Sequence, residues 1–169
     1  MKFLNDIRQL ILAVWLGSAI TFIIAAQVAF AVLPERELAG QIVSRLLAMV
    51  NFSAIAAAFA VFLLSLVGSA RVSPILLWLD RGLAILMAAA AGIGQFVSSV
   101  LIGAVRAEIG SRTIDSLAAD DPLKLRFDQL HQVSVWLLAT AMICAFLLYF
   151  VIANRRLRPV EVQTAEKAE

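Results

Sequence analysis

LLAMVNFSAIAAAFAVFLLSLVGSA, residues 46–70, contains no Asp, Glu, Lys or Arg. A helix rises about 1.5 Å per residue and the hydrocarbon core of a bilayer is about 30 Å thick, so about 20 mainly apolar residues cross it. Residues 9–34, 82–105 and 129–154 are equally free of charge. Every charged residue falls between these four stretches or at the chain ends. The pattern predicts an all-α integral membrane protein, a four-helix bundle with spans at about 9–33, 46–68, 82–105 and 131–153.

Composition agrees. Hydrophobic residues make up 62% of the 169 residues and the mean hydropathy is +0.93, against about 45–50% apolar residues in a soluble domain. One membrane domain over 1–154 accounts for the chain, with a basic and then disordered tail at 155–169. A net charge of +2, dispersed along the chain, argues against a nucleic-acid partner. Cys144 is the single cysteine, which excludes an internal disulfide and any multi-cysteine metal site within one chain. Lys2, Arg8 and Ala29-Phe30-Ala31 imitate a signal peptide, but the apolar run before that tripeptide exceeds the usual 7–15 residues, so the segment reads as an uncleaved first helix.

Punctuation residues set the helix ends. Pro34 stops the first helix. Ser73-Pro74 and Asp121-Pro122 each place a capping oxygen before a proline at the first helical position. The last helix therefore starts outside the bilayer, with Leu123, Phe127 and Leu130 on one face. For orientation, one side carries Lys2, Arg8, Arg71, Arg81, Arg155, Arg156, Arg158 and Lys167; the other carries Arg36, Arg45, Arg106, Arg112, Lys124 and Arg126. The positive-inside bias, with Arg155, Arg156 and Arg158 directly beside the last span, places both termini in the cytoplasm.

Helices in lipid associate through small residues and interhelical hydrogen bonds. Ala13, Gly17, Thr21 and Ala25 make such a face on the first helix; Asn51, Ala54, Ala58 and Ser65 on the second; Ala88, Ala91, Gly92, Gln95, Ser99 and Gly103 on the third; His131, Ser134, Ala141 and Ala145 on the fourth. Gly17, Thr21 and Gly92 are the expected packing contacts. Asn51 and Gln95 are the expected intramembrane hydrogen-bonding groups, since an unpaired amide in hydrocarbon costs several kcal/mol. Asp80 and Arg81 are adjacent, point apart, and so pair elsewhere or face water.

His131 is the only histidine. With Asp128, Ser134, Arg45 and Arg106 it is expected at the periplasmic end, where the five can line a polar vestibule. Imidazole ligates metals and titrates near neutral pH, so His131 is the candidate ligand for copper or haem iron. A lone histidine makes a two-histidine haem site only across two copies. Met49, Met87 and Met142 are too scattered for a copper cluster and read as core filler. No HExxH, Walker or dinucleotide motif and no nucleophile–base pair stands in the chain, so an enzyme is not expected.

Trp15-Leu16-Gly17, Ala25 through Phe30, and Leu38-Ala39-Gly40-Gln41 resemble the first half of the bacterial transmembrane-protein-205-like domain, long catalogued as a domain of unknown function. Gln27 stands where that family's Ala-Pro-x-x-Phe-like segment has proline. Leu130-His131 followed by Ser134 is similar to the family's Leu-His-x-x-Ser. The resemblance implies four spans and no settled activity; its eukaryotic namesake is associated with metal-drug tolerance, which suggests export or trafficking. A looser likeness links the Leu-His to copper-resistance and haem-pathway membrane proteins, which use further histidines. The expected role is a non-enzymatic accessory to transport or membrane assembly in the bacterial inner membrane, in contact with the lipid bilayer and able to form a homo-oligomer. The alternative is metal or haem handling through His131.

Overall fold

The structure, a computed structural model, describes residues 2–67, 73–110 and 112–154. The expected turn at Arg71, the helix end at Gly68-Ser69 and the tail 155–169 lie outside the described residues. Helix α1 spans Lys2–Val32, α2 Arg36–Leu66, α3 Pro74–Ile93, α4 Ser99–Ile109 and α5 Pro122–Ala153. A π-helical turn, Gly94–Ser98, joins α3 to α4 into one rod. Four helices, counting that rod once, are long and apolar enough to cross a membrane.

The punctuation works locally. α1 stops two residues before Pro34. α5 opens with Pro122 while the Asp121 carboxylate accepts the Leu123 N–H at 2.8 Å, which satisfies one of the orphan donors of the first turn. α3 also opens on its proline, but Ser73 makes no side-chain cap bond.

α1 packs against α2 and α5, and α3 packs against the same two helices. α1 and α3 thus face one another diagonally. The core between them is built largely from alanine: Ala19, Ala54, Ala57, Ala58, Ala84, Ala90, Ala91, Ala141 and Ala145, with Leu12, Trp15, Val61, Met87, Cys144 and Leu148 filling the remaining space. Small side chains let backbones approach, and dispersion between them replaces the hydrophobic drive that lipid removes. A second, smaller core closes the end where α4 meets α5. Val105, Ile109 and Leu117 are buried there under Ile114, Leu123, Phe127 and Leu130. The amphipathic first turns of α5 are explained by that cluster.

Two expected faces are displaced. Ala13, Gly17 and Thr21 on α1 are exposed, and a side chain added at Gly17 would meet nothing within 4 Å. The buried stripe of α1 is Arg8, Leu12, Trp15 and Ala19. On the third rod the stripe runs Asp80, Ala84, Met87, Ala91, Gly94 and Ser98, while Gly92 is only half-buried with open space around its Cα. The physical reason is shared: each stripe begins with an ionised side chain whose partner lies inside, and that requirement sets the rotation of the whole helix. The expected faces of α2 and α5 fare better. Asn51, Ala54, Ala58 and Ser65 are all buried, as are Ser134, Ala141 and Ala145.

Candidate functional site

The most distinctive polar contact crosses the core. Arg8 Nη2 donates to Asp80 Oδ1 at 2.5 Å, and the two side chains are 1% and 0% exposed. Arg8 comes from α1 and Asp80 from α3, so the pair ties two helices that are otherwise diagonal. Isolated buried charge is prohibitively costly, and a pair is tolerated only with close geometry. Both residues lie within two positions of a charge-free stretch, at the same end of the assembly. Arg81, one residue on, remains partly exposed.

One and a half to two turns deeper along α1, Trp15 Nε1 donates to the Val50 carbonyl at 3.2 Å. Ser53 Oγ donates to the same oxygen at 2.9 Å. Asn51, 4% exposed, lies against the π turn: a Cβ built on Gly94 would sit 3.5 Å from Asn51 Nδ2 and 3.8 Å from Leu137 Cβ. Three rods therefore converge where Gly94 lacks a side chain. The widened turn closes through Ser99, whose N–H and hydroxyl both donate to the Gly94 carbonyl, the hydroxyl at 3.0 Å. Ser98 and Ser134 are buried nearby in sequence on the same rods, and Gln95 Oε1 is buried with no hydrogen-bond partner among the described residues. π turns inside α-helices are uncommon and concentrate at functional sites.

At the opposite end, Arg106 of α4 reaches Glu37 of α2, Nη1 to Oε1 at 3.3 Å, and its guanidinium lies 5.6 Å from the centre of the Phe127 ring. A second, exposed pair joins Arg36 to Asp115 at 3.4 Å. A Cβ on Gly40 would approach Arg106 Nη2 to 2.8 Å, so the guanidinium uses the space that glycine leaves. Glu37→Gln is expected to cost about 0.5–1 kcal/mol in the wild type and close to nothing in a Gly40→Ala background, where the guanidinium has been pushed aside. A double-mutant cycle of unfolding in detergent checks this; equal costs in both backgrounds would separate Gly40 from the pair.

A family model for a domain of unknown function, DUF4149, matches residues 10–111. The chain belongs to the DUF4149 family. No curated protein and no solved structure matches it. The DUF4149 region holds Trp15, Asn51, Asp80, Gly94 and Arg106; Arg8 and the whole of α5 lie outside it.

In this DUF4149 protein the five residues expected to form one vestibule are not gathered. Ser134 points into the core, His131, Asp128 and Arg45 are exposed, and Arg106 is engaged with Glu37. Only Arg106 and His131 are linked, through Phe127: the imidazole stacks parallel to that ring at 6.2 Å between centres. Helical periodicity explains the dispersal, because Asp128, His131 and Ser134 advance about 60° at each step of three. Among the described residues no three His, Cys, Asp or Glu side chains group as a metal cage. Met87 is in the core and Met49 on the surface. The Arg8–Asp80 pair escapes sequence reading because each residue looks like an ordinary membrane-edge charge. A usable signal exists: opposite charges at one end, each heading an i, i+4, i+7 apolar stripe.

Proposed function

We propose that this DUF4149 protein is a multi-pass four-helix bundle of the bacterial inner membrane, with both termini cytoplasmic, that serves as a non-enzymatic accessory to transport or membrane assembly. The observation that carries this reading is the distribution of its apolar surface. Large side chains such as Ile20, Ile24, Val28, Phe59, Ile85, Trp136 and Ile143 are exposed along the rods, while alanine fills the interior. A soluble monomer rarely shows apolar patches on this scale; lipid and neighbouring helices are the natural partners of such faces. Two open grooves add to this. One of about 490 Å³ runs between α1 and α2 past Gly17, Thr21 and Met49, and one of about 480 Å³ lies along α3 at Trp78 and Gly82. The transmembrane-protein-205-like motifs carry no settled activity, and the export or trafficking that their eukaryotic namesake suggests is compatible with a transport role.

The test has two arms. Single cysteines replacing Phe3 or Ala119 in a Cys144→Ala background are offered a membrane-impermeant maleimide. Ala119→Cys should react in intact cells and Phe3→Cys only after permeabilisation; the reverse pattern inverts the topology. Membranes from a deletion strain are then compared with complemented ones by native electrophoresis. Loss of one membrane complex, restored by the gene, supports the accessory role; an unchanged profile removes it.

The exposed imidazole of His131 favours one second reading, a metal or haem bound between two copies. Purified protein with stoichiometric metal or a haem spectrum, lost in His131→Ala, would establish that reading instead.

A further inference from the structure

α1 is the least enclosed of the four rods. Its buried residues, Arg8, Leu12, Trp15 and Ala19, all lie in its first two thirds, and none is buried from Ile20 to Val32. At its far end it is joined to α2 by residues 33–35 around Pro34. At its near end the pair with Asp80 reaches across the core. A buried ion pair is a poor choice for simple strength, since desolvation offsets most of the Coulomb gain and an apolar pair of similar volume holds as well or better. It is a good choice for a contact that must come apart. Both charges stand at the edge of their spans, so on separation each can reach water or head groups by extending along the surface. The same pair in mid-bilayer would have no such exit.

We propose that Arg8–Asp80 is a releasable latch between α1 and α3. With the pair closed, α1 lies on the core. With it open, α1 swings outward about the Pro34 turn, its N-terminal half moving furthest, and uncovers the core around Leu12 and Leu148. The latch stands whether or not the accessory role holds, because its consequence is internal to the chain.

Cys144 reports on it directly. It is the single cysteine, 3% exposed, in the same core cluster as Leu12 and one turn from Leu148 on α5. Full-length protein in lipid nanodiscs is treated with N-ethylmaleimide. Asp80→Asn and Arg8→Gln should each raise the Cys144 reaction rate at least about tenfold, because breaking one partner of a buried pair is strongly unfavourable to the closed form. Asp80→Glu, which keeps both charges but misplaces the carboxylate, should give a smaller rise. The exchanged pair, Arg8→Asp with Asp80→Arg, should return the rate to within about twofold of wild type. Wild-type rates in the single variants overturn the latch, as does an exchanged pair that reacts as fast as they do. Where the neutral variants lose helicity or monodispersity, Asp80→Glu decides, and a wild-type rate in it overturns the proposal. A cysteine replacing Ile109, buried in the second core, separates release from general loosening. In a Cys144→Ala background its rate should not respond to Asp80→Asn, and an equal rise there also overturns the latch.

Discussion

Asp80→Ala is expected to lower the unfolding free energy by about 3–5 kcal/mol, because it removes the buried carboxylate that accepts from the Arg8 guanidinium. Arg8 is 1% exposed. Its position near the start of α1 lets it extend toward the surface in part, so the lower end of that range is the better expectation. Removing both charges should behave very differently. The double variant Arg8→Met with Asp80→Leu replaces the pair by apolar groups and should recover most of the loss, or exceed the wild type by about 1 kcal/mol or more. Unfolding in mixed micelles, followed by circular dichroism, gives both values. A double variant whose loss equals the sum of the Arg8→Met and Asp80→Leu losses would show that the two residues are not energetically coupled. The latch adds a second expectation: the apolar pair cannot exchange its partners for water, so Cys144 in that variant should react more slowly than in the wild type.

Gly94→Leu is the second large effect. The first atom of a side chain at this position already meets Asn51 Nδ2 at 3.5 Å and Leu137 Cβ at 3.8 Å. Those are ordinary contacts, so Gly94→Ala should be tolerated and even slightly favourable through helix propensity. A leucine has nowhere to go. Overpacking a filled site costs about 1–3 kcal/mol, and here it wedges α2, α5 and the π turn apart together. Gly17→Leu is the contrast, with nothing within 4 Å of its added Cβ and an expected change within about 0.5 kcal/mol. Thermal unfolding of the two leucine variants in one detergent compares them. A large loss at Gly17 with none at Gly94 would mean that α1 is rotated relative to the described packing.

That contrast shows where sequence reading succeeds and where it stops. Length, hydropathy and proline placement are local quantities, and the helices start at Pro74 and Pro122 where the chain says they should. Which face of a helix turns inward is a pairwise question. On α2 the polar Asn51 and the alanines share one stripe, so the answer is visible in α2 alone. On α1 two stripes compete, Ala13-Gly17-Thr21 and Arg8-Leu12-Trp15-Ala19, and by composition the first looks more like an interface. The second wins because Arg8 has a carboxylate waiting seventy-two residues away. Thr21 needs no neighbour, since its hydroxyl donates to the Gly17 carbonyl within α1 at 2.8 Å. His131 stands out in the sequence as the only imidazole, a chemical signal blind to helical phase, and it lies on the exposed side of α5. The π turn is invisible to hydropathy because its residues are as apolar as those around them.

The corner position of α5 has a consequence for modularity. The DUF4149 match ends at residue 111, before that helix begins, yet α1, α3 and α4 all lean on it. A fragment truncated after 111 would leave one flank each of α1, α3 and α4 facing lipid, with the alanine core opened to acyl chains. The recognisable region and the folding unit are therefore different lengths of chain. Grafts or swaps among relatives should move the helix at 122–153 along with the rest.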